Sequence, residues 1–168
     1  LQLVKLFSNG TSQVSSTSSL SSISFYSPLN TANLATAPTS GSFKINGVSF
    51  DYDVTKNSIN DIVSNVNRSE AGVSMVFDPA SNNFKIVNLQ TGSLDIAIQD
   101  VSGNLIQSLG FTTGSTFTYG KNCQIKIDGG SVIDSYANTY DASMHGIVGL
   151  TLTAKQEGAI DTVSITTN

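Results

Sequence analysis

The side chains that could do chemistry in this chain are few and scattered. A single histidine, His145, stands in "SMHGIVG". A general base or a metal ligand works through partners, an orienting carboxylate or further donors, and none is spaced around this imidazole, so it reads as a loop residue. The one cysteine, Cys123, cannot close an internal disulfide. In "NCQIKIDGG" it shares one face of an alternating stretch with Ile125 and Ile127, opposite Gln124 and Lys126, which is the place of a small buried hydrophobe. An activated thiol would need a neighbouring His or Arg, and the sequence sets none beside it. Asp51 and Asp53 also alternate onto one face, as an acid–base pair would, but such a pair needs burial to separate its pKa values, and this is the polar face of a strand. Asp134 and Asp141, with Tyr136 and Tyr140 between them, lack the spacing of a calcium loop. Serine is abundant, yet there is no G-x-S-x-G elbow, no G-x-G-x-x-G, no P-loop and no H-E-x-x-H. The residues therefore designate no catalytic side chain, no cofactor and no metal, and disfavour an enzyme. Two sequons, Asn9-Gly10-Thr11 and Asn67-Arg68-Ser69, would matter only in a eukaryotic secretory pathway.

The composition fits that reading. Charged residues make up 12% of the 168 residues, half of the usual ~25%, and Ser, Thr, Asn and Gly take their place. This is the profile of a β-rich extracellular or virion-type surface. The net charge of -4 and the lack of any Lys/Arg cluster to neutralise phosphates argue against nucleic acid and anionic membrane as partners. No apolar run approaches the ~20 residues that span a bilayer. No secretory signal is visible, and the chain opens Leu1-Gln2-Leu3 without a Met, so it reads as a fragment of a longer protein.

The elements that must position these residues are sharper than the residues themselves. In "SGSFKINGVSFDYDV", Phe43 and Ile45 precede Asn46-Gly47 and Val48, Phe50, Tyr52 and Val54 follow it. Both arms keep the period of a strand, and Asn-Gly suits a type I′ turn because its two central residues need positive φ. "NSINDIVSNVNRSEAG" then sets Ile59, Ile62, Val63 and Val66 on one helical stripe, with Ser58 and Asp61 spaced as an acidic capping box and Gly72 beyond the end. The predicted role of this helix is to cover the apolar face of the hairpin. After Gly72 the period returns to two through Val73, Met75 and Phe77. A turn at "DPASNN" follows, then "FKIVNL", and "SLDIAIQD" carries Leu94, Ile96 and Ile98 on one face. "LIQSLG" reads as one helical turn stopped by Gly110.

Beyond Gly110 no helix signal appears. "CQIKIDGGSVIDSY" repeats the hairpin logic with Asp128-Gly129-Gly130, and "GIVGLTLTAKQEGAIDTVSITTN" adds two strands around Glu157-Gly158. The expected fold is mainly β with a small α+β inserted lobe: two antiparallel-sheet domains, residues 39–113 inserted into an all-β lobe made of 1–38 and 114–168. The Ser/Thr-dominated stretch 8–24 reads as a flexible connector or a solvated edge strand.

Several of these segments also resemble a known family. "GSFKINGVSF", "SINDIVSNVNRSEAGVSMVFD", "NNFKIVNLQTGS" and "NLIQSLGF", over residues 41–111, look like the flagellin "IN" motif. "QIKIDGG" and "GIVGLTLTAKQEG" resemble the return segment of the flagellar filament cap family, also called hook-associated protein 2. There a Gly-Val-Thr-Leu strand follows a variable Asn-Thr stretch. Here Asn138-Thr139 and Gly149-Leu150-Thr151-Leu152 occupy those places, with Leu150 standing for the Val. The resemblance implies outer head domains of a structural cap subunit at the extracellular tip of the flagellum, with helical and coiled-coil ends absent from this sequence. It implies flagellin and other cap subunits as partners, the latter in a homo-oligomeric ring of the full-length protein. One alternative is a host-glycan or mucin-binding adhesin domain, with host glycans as partners of the Ser/Thr/Asn-rich surface; another is a variable outer domain of a flagellin or hook–filament junction protein, since the "IN" motif also occurs in variable flagellin domains.

Overall fold

The computed structural model describes residues 2–7, 10–17, 22–155 and 160–162, with the side chains of 2–7 and 160–162 left aside. In chain order its elements begin β1 (Gln2–Phe7), β2 (Thr11–Ser15), β3 (Gly41–Ile45), β4 (Val48–Tyr52), α1 (Ile59–Arg68), β5 (Val73–Asp78) and β6 (Asn83–Thr91). They continue β7 (Ile98–Ser102), α2 (Leu105–Ser108), β8 (Thr116–Thr118), β9 (Cys123–Ile127), β10 (Ile133–Ser135), β11 (Thr139–Tyr140), α3 (Ala142–His145), β12 (Leu152–Thr153) and β13 (Ile160–Thr162). The fold is mainly β, built from small antiparallel sheets. No described helix is long and apolar enough to cross a membrane.

The chain divides into two compact units. The α+β unit comprises 13–89 and 95–118, and the terminal unit comprises 1–12, 90–94 and 119–168. This is not the division at 39 and 113 that the change of pattern suggests. Residues 13–38 and 114–118 belong with the α+β unit because β2 is hydrogen-bonded inside its sheet, between β6 and β8, and because Leu29 and Ala32 are buried in its core. The Ser-rich stretch is accordingly neither connector nor edge where it is described. The Ser16 N–H donates to the Phe84 carbonyl at 2.9 Å, and the Ser16 hydroxyl, itself buried, accepts the Phe84 N–H at 3.0 Å.

In the α+β unit the sheets run β4-β3-β7 and β5-β6-β2-β8. Asn46 and Gly47 have φ of 48° and 85°, and the register Ile45↔Val48, Phe43↔Phe50 makes them the two-residue turn that their residue types demand. Phe43 and Phe50 stack with centroids 5.0 Å apart. The capping box is complete. Ser58 Oγ accepts the Asp61 N–H, and the Asp61 carboxylate accepts the Ser58 N–H at 2.8 Å. Ile59, Ile62 and Val66 are buried, whereas Val63 lies at the margin, half-buried, because a stripe on a 3.6-residue period drifts off the contact line. The strand expected from Leu94 begins only at Ile98, since Asn46 bonds to Ala97 through both main chain and side chain and sets the start of pairing with β3 there.

In the terminal unit the sheets are β10-β9-β1-β13 and β11-β12. Asp128 and Gly129, at φ 48° and 70°, form a turn closed by Gly130 N–H to the Ile127 carbonyl at 2.9 Å. Cys123, Ile125, Tyr140, Leu152 and Ala154 are its described core. The expectation of a lobe without helix is corrected by α3. Asp141 caps its start and Gly146 ends it at φ 77°, a pair of end signals close enough to leave room for a single turn. The Glu157-Gly158 turn lies outside the described residues.

Candidate functional site

The side chains with chemical potential are each committed to local structure. Asp53 accepts the Thr55 hydroxyl at 2.7 Å and the Thr55 N–H at 2.9 Å, and Lys56 Nζ lies 2.9 Å away. The Thr55 hydroxyl first, then Lys56, hold its carboxyl down at about 2. A general acid near neutrality needs the opposite shift. Asp51, two residues earlier, is exposed and shares none of these partners. Asp134 accepts from the Asn122 and Gln124 side-chain amides. Asp141 caps α3 by accepting the Ser143 N–H at 2.9 Å. No three His, Cys, Asp or Glu side chains gather as a metal site among the described residues.

Cys123 is fully buried, and its carbonyl accepts the Tyr140 hydroxyl at 2.6 Å. Burial pushes the Tyr140 phenol up from its ordinary range, and the neighbouring Cys123 adds to the rise. His145 ends α3, where Nδ1 accepts the Ile147 N–H at 3.1 Å. That bond places the proton of the neutral ring on Nε2 and makes His145 an organiser of its own turn.

Where the sequence offered only turn chemistry, the structure shows polar side chains organising the backbone. Asn46 donates from Nδ2 to the Ala71 carbonyl and accepts the Ala97 N–H on Oδ1, both at 2.9 Å, so the hairpin tip ties the exit of α1 to the entry of β7. The Tyr52 hydroxyl accepts the N–H groups of Asn104 and Leu105 at 3.2 and 3.1 Å, and Asp100 accepts those of Ile106 and Gln107, so the first turn of α2 is capped entirely from outside itself. Asn67, the sequon residue, accepts the Met75 N–H at 2.6 Å and donates to the Met75 carbonyl at 2.9 Å. Ser12 is fully buried in the terminal unit. Its hydroxyl accepts the N–H of Leu94 and of Gly120 and donates to the Gly92 carbonyl. Such roles leave no sequence signal, because donor and acceptor lie many residues apart.

What remains for a partner is surface. The α+β unit carries an open groove of about 580 Å³ floored by Val14, Ile96, Ile98, Ile106, Phe111 and Phe117 and rimmed by Gln99, Gln107 and Thr113. Its one carboxylate, Asp100, is already held by the α2 backbone. The terminal unit has a smaller polar depression of about 320 Å³ at Ser93, Lys121, Asn122, Gln124 and Asp134. Large apolar side chains stand out singly, Tyr26 and Leu89 on the first unit, Tyr119 and Val148 on the second. An open apolar groove with an amide rim suits contact with protein more than catalysis.

No family model matches the chain. Over 145 residues, 84% of this chain, it is 32% identical to flagellar hook-associated protein 2 of Thermotoga maritima. The chain spans about a quarter (24%) of that relative's length. Its fold matches the D2-D3 domains of the flagellar cap protein of Serratia marcescens with a TM-score of 0.70, 14% identity and coverage of 97% of this chain and 92% of that one. The D2-D3 domains of the Escherichia coli cap protein match with a TM-score of 0.64 at 15% identity, covering 99% and 83%.

Proposed function

We propose, from the premise that this chain is a flagellar-cap-like segment, that it forms the outer, non-catalytic head of a cap subunit at the distal end of the flagellar filament, outside the cell. The observation that carries the reading is the coincidence of sequence relationship and fold. The relative at 32% identity is a flagellar hook-associated protein 2, and the cap-protein D2-D3 fold extends over 97% of the chain. A head of this kind assists flagellin polymerisation by presenting fixed surfaces to incoming flagellin and to neighbouring cap subunits. The polar side chains support that role in kind, since Asn46, Asp61, Asp100 and Asn67 all act on the backbone and hold a rigid shape.

The test is complementation. In a cell lacking its cap protein, the full-length chain restores filament growth, and deletion of this 168-residue segment reduces filament length or the efficiency of capture of flagellin. Failure of the full-length chain to restore any filament would sink the reading. Filaments of normal length from the deletion would remove the head from polymerisation, and binding of the isolated chain on a glycan array would then assign it to adhesion.

A further inference from the structure

The sheet β5-β6-β2-β8 ends at β5. A terminal strand turns every second residue's N–H and C=O away from its neighbour, and those groups are a template for another strand. In the register Met75↔Ile86, both main-chain groups of Met75 go to the Asn67 side chain. Met75 therefore faces the outer edge of the sheet, and Val73 and Phe77, two residues to either side, face the same way. The segment "VSMVF" from Val73 to Phe77 is rich in β-formers, uncharged and without proline, the composition that adds most readily to a strand of another chain. The first charge met along it is Asp78, which is paired with Lys85 across the sheet at 2.5 Å.

We propose that the Asn67 carboxamide is an edge guard: it occupies the outward N–H and C=O of Met75 as a further strand would, and so keeps β5 from pairing with β5 of a second copy of this chain. A carboxamide is suited to this, because one planar group offers an acceptor and a donor side by side, the pattern that a residue of a neighbouring strand presents. Its position is fixed from behind. Asn67 is the penultimate residue of α1, whose Ile59, Ile62 and Val66 are anchored in the core, so the amide reaches the edge from a rigid support. The occupant excluded is a second copy, since the uncharged edge segment is complementary to itself when two copies run antiparallel.

The test uses Asn67→Ala in this chain. Removing the guard frees Met75, and amide exchange at Met75 accelerates about tenfold or more in dilute solution, the loss expected for one net hydrogen bond. As concentration rises, light scattering shows the mass climbing from one chain to two or more, while the parent chain stays at one over the same range. The double variant Asn67→Ala/Val76→Glu separates this from a loss of structure. Val76 is 42% exposed and lies opposite Lys85, so a carboxylate there is tolerated within the sheet but repels its image across a β5–β5 contact. It returns the mass to one chain without restoring the melting midpoint. Should Asn67→Ala not fold, Asn67→Gln decides instead, because it keeps both polar groups and displaces them by one methylene. A variant that melts lower yet stays monomeric at every concentration overturns the proposal, as does self-association that Val76→Glu leaves unchanged.

Discussion

The two units solve the same problem, the closing of a small β structure, with different materials. In the α+β unit a continuous core of aromatic and aliphatic side chains runs from Val14 to Phe111, and the ring clusters Phe43–Phe50 and Phe25–Phe77–Phe84 lie within it. In the terminal unit the described core is Cys123, Ile125, Tyr140, Leu152 and Ala154, and hydroxyls are bonded deep inside, Tyr140 to the Cys123 carbonyl and Ser12 to three backbone groups. Apolar burial is non-directional and tolerates small shifts, whereas a buried hydroxyl is stabilising only while its partners stay in place. The first unit should resist conservative substitution and fail on insertion of charge. The second should be sensitive to loss of a single oxygen.

The largest test of that contrast is Ile62→Asp. Ile62 is 2% exposed beneath α1, and an unpaired carboxylate there costs several kcal/mol, comparable to the ~5 kcal/mol stability of a small domain. Circular dichroism and amide spectra are expected to show the α+β unit unfolded. Retention of the α1 signal at the parent melting temperature would place the helix outside the core.

Next in size is Ser12→Ala. It removes the acceptor of the Leu94 and Gly120 N–H groups; the half-buried Leu94 N–H keeps its bond to the Gly92 carbonyl at 3.0 Å, whereas the buried Gly120 N–H loses that partner, at about 2 kcal/mol. Tyr140→Phe removes one donor from the Cys123 carbonyl and costs about 1–2 kcal/mol. Chemical denaturation followed by amide exchange in 119–155 reads both. If Tyr140→Phe proves neutral while Phe50→Leu in the first unit is severe, the contrast between the units is wrong.

The smallest effects sharpen the likeness between the hairpins. A Cβ at Gly47 or at Gly129 meets nothing within 4 Å, so Gly47→Ala and Gly129→Ala are opposed only by backbone strain at positive φ, about 1 kcal/mol each. Unequal losses would show that one tip is held by more than its turn. Acid is a finer probe again. Asp53 and Asp78, both in the α+β unit, are held at about 2, below the 3.8 of an unconstrained carboxyl, by the Thr55 hydroxyl and by Lys85 respectively. A depressed folded-state pKa makes the unfolded chain bind more protons, so their contribution is full above about 4 and is lost as pH falls from there to 2. Both are only half-buried and reached by solvent that screens them, so the drop in melting midpoint is expected to be slight, and Asp53→Asn and Asp78→Asn should flatten it.

Much of this architecture was legible because it rests on local causes. The Asn46-Gly47 tip, the Ser58–Asp61 box and the stop at Gly110 each follow from backbone geometry within a few residues. The position of β2 between β6 and β8 was beyond such reading, because "TSQVS" alternates as an edge strand does and only pairing across the chain makes it internal. The same reason displaced the boundary between the units, since a change of period marks a change of pattern and not of packing. Asn46, Asn67, Tyr52 and Ser12 carry side chains whose types were visible, but the carbonyls and N–H groups they hold lie 8 to 108 residues away. Sequence chose the turns and caps by local energetics. Which strands meet, and which polar side chains hold them, was decided when long-range pairing brought distant backbone groups within hydrogen-bond reach.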